Sequence, residues 1–189
     1  MSKTAFRFDK RMEVLLGNIR VVREINNLIH SERLFSSQWE LFTAYLISRL
    51  KSRIPRMKKW EMVKGLDYDF LPSPQWRKKG DAYASISIGL DDITDRSTLG
   101  DFWIGLYVDE NIKTQRQVYE GFRAVVKESE IADWESNEEA FPAWCYFRLE
   151  DFVKNNGFDQ ARFVKQVELE FRKLVALEPS LTKAVKRFM

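Results

Sequence analysis

Residues 85–108 read SISIGLDDITDRSTLGDFWIGLYV, and this stretch decides the fold. Apolar side chains occupy every second position on either side of its polar centre: Ile86, Ile88, Leu90, Phe102, Ile104, Leu106 and Val108. A period of two is typical of strands that bury one face. Because no helical segment separates the two runs, the pattern predicts two neighbouring antiparallel strands.

Two further alternating runs extend this pair into a sheet. Leu66, Tyr68 and Phe70 alternate with acidic residues before Pro72, and Cys145, Phe147 and Leu149 alternate after Pro142. Both runs are bounded by proline, which interrupts strand pairing. The sequence therefore predicts an antiparallel sheet of about four strands.

Helical periodicity surrounds these strands. Apolar residues at spacings of three and four predict a helix over 12–29, and Ser37 with Glu40 has the spacing of a capping box that starts a second helix. Thr114 and Asp159 are suitable caps for two later helices, and Pro179 is expected to break the last one. The predicted class is α+β in the order α-α-β-β-β-α-β-α. We expect a single α+β domain over 1–189, with a helical N-terminal region (1–58) and a mixed sheet and helix region (59–189).

Composition excludes several classes of protein. The 189 residues are 44% hydrophobic and 14% aromatic, which argues against intrinsic disorder, and one cysteine cannot form an internal disulfide. There is no apolar run long enough to cross a membrane and no secretory signal pattern at the N-terminus. A cytoplasmic location with no membrane partner is the expectation from these features.

The near-neutral net charge of +3 conceals a strong asymmetry. Residues 1–80 contain 17 Lys and Arg against 8 Asp and Glu, whereas residues 81–160 contain 7 against 17. Such separation indicates either surfaces for oppositely charged partners or two regions of the fold that attract each other.

Few catalytic chemistries fit the sequence. One His and one Cys cannot form a zinc site of the Cys/His type, and His30 is the only candidate base for a nucleophile. The glycines form neither type of phosphate-binding loop, and no cofactor is indicated. A metal-dependent hydrolase remains an alternative, using oxygen ligands from Asp91, Asp92, Asp109 or Glu110.

Four segments resemble a region of a known group of bacterial proteins. These are SRLKSRIP (48–55), SISIGLD (85–91), FWIGLYVDE (102–110) and WCYFRLEDF (144–152). Together they resemble the accessory region that follows the nuclease core in PD-(D/E)XK-like proteins, over about 60% of the chain. The nuclease motif itself is absent, because no lysine has Asp or Glu two positions earlier. The resemblance implies a helix-plus-sheet accessory module and carries over no catalytic residue.

Basic residues beside tryptophans predict a nucleic-acid surface, since cations hold phosphates and aromatic rings stack on bases. The candidates are Arg49, Lys51, Arg53, Arg56, Lys58, Lys59, Arg77, Lys78 and Lys79. The same spacing is equally typical of an ordinary solvated helix face.

Aromatic residues outside the predicted core positions suggest a protein interface, because large rings dominate interface energetics. The candidates are Trp76, Trp103, Tyr107, Trp134 and Trp144. The sequence favours a non-catalytic protein-binding or regulatory factor, for example one of a microbial or phage system acting on nucleic-acid machinery. Direct nucleic-acid binding is the second hypothesis, and an open sheet edge would also permit a homo-oligomer.

Overall fold

The computed structural model describes residues 6–19, 29–64, 67–78, 81–82, 84–90, 101–109, 114–137, 139–155 and 157–188. The side chains of residues 29–36, 78 and 81–82 fall outside this description. The helices are α1 (Lys10–Gly17), α2 (Ile29–Arg53), α3 (Gln115–Lys127) and α4 (Gln160–Lys186). Three short 3-10 turns cover Pro55–Lys59, Pro74–Trp76 and Leu149–Phe152.

The strands form one large sheet and two small ribbons. They are β1 (Glu61–Lys64), β2 (Tyr68–Leu71), β3 (Arg77–Lys78), β4 (Asp81–Ala82), β5 (Ala84–Leu90), β6 (Phe102–Val108), β7 (Ala143–Phe147), β8 (Val153–Lys154) and β9 (Gly157–Phe158). The large sheet has the order β1-β2-β5-β6-β7, and every neighbouring pair is antiparallel. The α+β class is therefore confirmed, with one more strand in the sheet than the sequence predicted.

The stretch that decides the fold forms the centre of this sheet. Strands β5 and β6 pair along their whole length, from Ala84 opposite Val108 to Leu90 opposite Phe102. Ile86 and Ile104 on this pair are fully buried. The alternating residues predicted to face the core thus do so.

Helices α2 and α4 bring aromatic side chains to the core face of the sheet. On α4, Phe163 lies 5.3 Å from Phe102 and Phe171 lies 5.8 Å from Phe70, measured between ring centroids. Phe42 of α2 lies 5.8 Å from Phe163 by the same measure. The buried residues of the helices and the sheet form one continuous hydrophobic cluster.

The opposite face of β5 is polar but equally enclosed. Ser85 and Ser87 are buried, and both hydroxyls donate to Asp69 Oδ1, at 2.8 and 2.5 Å. These bonds replace the hydration that the hydroxyls lose on burial.

Two predicted helix boundaries are wrong. Ser37 lies inside α2 rather than at its start, and Pro179 lies inside α4, which continues to Lys186. Leu174 and Leu181, on either side of Pro179, are buried in the same core, whereas the side chains of α2 before Ser37 lie outside the described residues. At Pro179, packing of the apolar face therefore outweighs the local preference.

At the N-terminus, α1 ends at Gly17, before the predicted end at residue 29, and residues 20–28 lie outside the described residues. None of the helices built from described residues has both the length and the apolarity needed to cross a bilayer.

Candidate functional site

A cavity of about 840 Å³ lies at one edge of the large sheet. Strand β7 is the outermost strand there, and the wall beyond it is the segment 128–139 that follows α3. The cavity is closed by the turn Leu149–Phe152 and by α4, which supplies Gln166 and Glu170. We call this cavity, with the residues that line it, the β7 cleft.

Local hydrogen bonds hold the segment 128–139 against β7. The Trp144 N–H donates to the Glu135 carbonyl at 2.9 Å, which gives an isolated bridge beyond the strand edge. The Asn137 side-chain oxygen accepts from three successive backbone N–H groups, those of residues 139–141, at 2.9–3.2 Å. Asparagine favours turns because its side chain forms such bonds. The buried Ile131 anchors the start of the segment in the core.

The β7 cleft is strongly acidic. Its lining includes six carboxylate residues: Asp101, Asp133, Glu135, Glu150, Asp151 and Glu170. Among the described residues that line it, Arg148 is the one basic side chain. Carboxylates gathered around a concave, low-dielectric surface concentrate negative potential and attract cations.

Glu170 is the most enclosed of these carboxylates for which hydrogen-bond partners are described. Its side chain is 8% exposed, accepts from Gln166 Nε2 at 3.1 Å and pairs with Lys173 Nζ at 2.7 Å. The hydrogen bond to Glu170 raises the pKa of Lys173 above its ordinary value. This ion pair fixes a negative group on the floor of the cleft, because a buried charge needs a partner.

Three half-buried aromatic residues complete the lining. Trp144 and Tyr146 of β7 meet edge to face with their ring centroids 6.5 Å apart, and Trp134 lies on the segment that is bridged to β7. The Trp144 Nε1–H is buried and has no hydrogen-bond partner among the described residues. An unpartnered donor of this kind costs folding free energy. The position of Trp144 in the cleft therefore does not serve folding stability alone.

Cys145 is poorly suited to nucleophilic chemistry. Burial raises the pKa of its thiol to about 12, and the nearby Glu170 carboxylate adds to this rise. The thiolate is the reactive form of cysteine, so the thiol is inert near neutral pH. No Ser, Thr or His side chain is among the described residues that line the cleft.

The predicted interface aromatics lie in three environments. Trp134 and Trp144 line the cleft, and Trp103 and Tyr107 pack around Phe141 on the polar face of the sheet, at 5.5 and 5.4 Å between centroids. Trp144 belongs to both environments, because its ring also lies 5.9 Å from that of Phe141. Trp76 is fully buried beside Phe122, and its Nε1 donates to Thr182 Oγ1 at 2.9 Å. Trp76 is therefore a core residue, and its indole cannot act as a surface anchor.

The basic residues lie near the opposite edge of the sheet. Arg49, Lys51 and Arg53 end α2, and Arg56, Lys58 and Lys59 form the turn that leads into β1. Arg53, Arg56, Lys58 and Lys59 are exposed, whereas Arg49 and Lys51 are half-buried. We call the four exposed residues the β1 basic surface.

Two of the predicted basic residues are engaged in ion pairs. Arg56 lies 3.8 Å from Glu178, and Arg77 bonds to Glu61 at 2.6 Å. The side chain of Lys78 and the whole of Lys79 lie outside the described residues.

The alternative metal site is not assembled by the described residues. Asp91, Asp92 and Glu110 lie outside the description, and Asp109 lies at the end of β6. Within the described ranges, no three His, Cys, Asp or Glu side chains are grouped so that they could hold a metal ion. His30 lies in the first turn of α2, and its side chain is not described.

Several cleft residues were missed by sequence reasoning. Tyr146, Glu150, Asp151 and Glu170 come from three different elements, and Asp101 directly precedes β6. The sequence signals for the cleft were the excess of Asp and Glu in residues 81–160 and the predicted interface residues Trp134 and Trp144.

Comparisons with protein-family models, with curated proteins and with solved structures gave no match to this chain. The resemblance to the PD-(D/E)XK accessory region thus stays a prediction.

Proposed function

We propose that this chain is a binding protein whose β7 cleft receives a Lys- or Arg-bearing segment of a partner protein. The observation that carries the proposal is the convergence of six carboxylates and five aromatic side chains, three of them half-buried, around one cavity. Carboxylates pair with ammonium and guanidinium groups, and aromatic faces attract the same cations. Basic arms are common on nucleic-acid-binding proteins, so a partner from nucleic-acid machinery suits this cleft.

The geometry favours binding over catalysis. The cleft presents acceptors and ring faces, and the one thiol in it has its pKa raised by burial. Interfaces of this kind derive their specificity and rate of association from complementary charge. We therefore expect recognition that weakens as salt rises.

The proposal is tested with a labelled ten-residue peptide that contains three consecutive Lys or Arg residues and otherwise Ser and Gly. Fluorescence anisotropy should show saturable binding, and a peptide with Glu at the three basic positions should not bind. The double variant Asp133→Lys, Glu135→Lys should weaken binding about tenfold or more, because both side chains are exposed and line the cleft.

A matched control separates the cleft from net charge. The double variant Glu13→Lys, Glu120→Lys changes the net charge equally at exposed positions on α1 and α3, outside the cleft. It should bind the basic peptide nearly as well as the unmodified chain. Equal weakening by both double variants would show that the attraction is diffuse and would refute the cleft as the site.

A second function is favoured by the position of the β1 basic surface. Its residues belong to the end of α2 and to the turn that leads into β1, which is the sheet edge opposite β7. Exposed cations at this edge are available to phosphates, and such binding falls steeply with salt.

Nucleic-acid binding at the β1 basic surface is tested by measuring whether the chain retains a 20-base-pair DNA duplex. The variant Arg53→Glu, Lys58→Glu, Lys59→Glu should abolish retention at low salt. The control variant Lys10→Glu, Arg11→Glu, Lys154→Glu alters three exposed cations elsewhere and should retain the duplex. Undiminished binding by the first variant would reject nucleic-acid recognition at this surface.

A further inference from the structure

A second, smaller cavity of about 420 Å³ lies beside the β7 cleft. Its lining includes the buried Ile131, the partly buried Leu177 and the exposed Leu169. Leu169 is 52% exposed, one of the few large hydrophobic side chains of the described residues that is exposed to this degree. We call this cavity the leucine pocket.

The two cavities follow one seam between α4 and the segment 128–135. Along α4, Gln166 and Glu170 line the cleft, whereas Leu169, Lys173 and Ala176 line the leucine pocket. Along the segment the order is reversed, with residues 133–135 at the cleft and residues 128–131 at the pocket. The seam is therefore continuous, and the Lys173–Glu170 ion pair marks the boundary between the two cavities.

The cations beside the leucine pocket are occupied by internal partners. Lys173 pairs with Glu170 at 2.7 Å, and Arg172 pairs with Glu168 at 2.7 Å and donates to the Arg53 carbonyl at 3.0 Å. Their positive charge is thus partly neutralised. Two exposed carboxylates, Glu128 and Glu130, also line the pocket. The surface between these charged groups, from Ile131, Leu169, Ala176 and Leu177, is apolar, in contrast to the cleft.

The length of the seam determines how far apart two side chains of a bound segment must be to reach both cavities. From Gln166 to Ala176, α4 advances about 15 Å at about 1.5 Å per residue. An extended chain covers that distance in about five residues, at about 3.3 Å each.

From this layout we infer that the occupant of the seam is an extended segment of a partner protein with two anchors: basic residues for the β7 cleft and one apolar side chain, about five residues away, for the leucine pocket. This inference rests on the proposed function and adds the spacing and the second anchor. The charge of the cleft and the apolar walls of the pocket are each complementary to one anchor.

Three labelled peptides of ten residues test the inference by fluorescence anisotropy. The first carries three basic residues and a leucine five positions beyond the last of them. The second has serine in place of that leucine, and the third has the leucine only two positions away. The first peptide should bind about tenfold more tightly than the other two, because burial of a leucine side chain adds affinity on that scale.

The variant Leu169→Glu should remove the advantage of the first peptide, so that the first peptide binds this variant no more tightly than the serine peptide does. Leu41→Glu is the matched control, since Leu41 is a similarly exposed leucine, 56% exposed, on α2 and outside both cavities. It should preserve the tenfold difference.

The outcomes separate the two proposals. Equal binding of all three peptides overturns the two-anchor inference but leaves the acidic cleft as a binding site. If none of the three peptides binds, the proposed function and the inference are both overturned. Self-association in analytical ultracentrifugation that Leu169→Glu abolishes would assign the seam to a second copy and overturn the inference.

Discussion

At the scale of single residues, Gly89 shows how closely the polar face of the sheet is packed. A Cβ at this position would overlap the Trp103 indole ring and Asp67 Oδ1. We predict that Gly89→Ala lowers the free energy of unfolding by about 1–3 kcal/mol, because a crowded site must distort to admit the methyl group. Urea denaturation followed by tryptophan fluorescence would measure the shift in midpoint.

Gly157 provides the control for that substitution. A Cβ there would meet no atom closer than the Lys154 carbonyl oxygen, at 3.6 Å, which is ordinary contact. Gly157→Ala should leave the midpoint nearly unchanged. A loss of stability at Gly157 as large as that at Gly89 would contradict the packing explanation.

Cys145 gives a second residue-scale prediction, because it is the one cysteine of the chain. Burial, with a smaller effect of Glu170, raises its thiol pKa from 9.0 to about 12. At pH 8.5 the folded chain should react with a disulfide reagent roughly a hundredfold more slowly than the chain in denaturant. Since burial is the larger cause, Glu170→Gln should stay slow. Equal rates in the folded and unfolded states would contradict the prediction.

The same shift determines how stability depends on alkaline pH. Between pH 9 and pH 12 the unfolded chain loses the thiol proton while the folded chain keeps it. The folded state therefore binds more protons in this window, and stability falls as pH rises through it. Cys145→Ala should lose less stability than the unmodified chain between pH 8 and pH 10.5, which thermal unfolding at the two pH values would show.

At the scale of elements, two helix starts differ in a way that can be measured. Asp159 accepts a hydrogen bond from the Arg162 N–H at 3.1 Å at the start of α4, whereas Thr114 forms no side-chain cap bond at the start of α3. Asp159→Ala should cost about 1 kcal/mol of stability, and Thr114→Ala should cost clearly less. Equal losses in chemical denaturation would show that the cap bond is not the cause.

The elements also show what local sequence can and cannot predict. The alternation in 85–108 predicted β5 and β6 correctly, because both strands bury one complete face. Strand β1 was missed because most of its residues are exposed and its four positions carry no burial alternation. The expected break at Pro179 failed for a related reason, since the core contacts of α4 continue past it, and the expected start at Ser37 lies inside α2.

At the scale of the whole molecule, the candidate site was only partly predictable. The excess of acidic residues in 81–160 and the aromatic residues Trp134 and Trp144 were evident in the sequence, but not that Asp101, Glu150 and Glu170 join these aromatic residues in one cleft. Only the antiparallel order of the sheet brings β7 between the segment 128–139 and α4. The predicted charge asymmetry does correspond to surfaces at opposite edges of the sheet, but their positions depend on strand order, which local patterns do not determine.

The separation of these surfaces leads to a prediction for the molecule as a whole. The sheet order places β1 and β7 four strand spacings apart, or about 19 Å at about 4.8 Å per strand. This exceeds the screening length of about 8 Å at physiological salt. Substitutions at the two edges should therefore act independently, as they do at distant sites in general.

The two charge-altering variants at these edges test this independence. In 150 mM salt, the double variant Asp133→Lys, Glu135→Lys should bind the basic peptide more weakly and retain duplex DNA as well as the unmodified chain does. Arg53→Glu, Lys58→Glu, Lys59→Glu should show the opposite pattern. At 10 mM salt the screening length grows to about 30 Å, so each variant should then begin to influence the other ligand. If each variant affects both ligands equally at 150 mM salt, the two surfaces are not separate sites, and a single charged region must serve both.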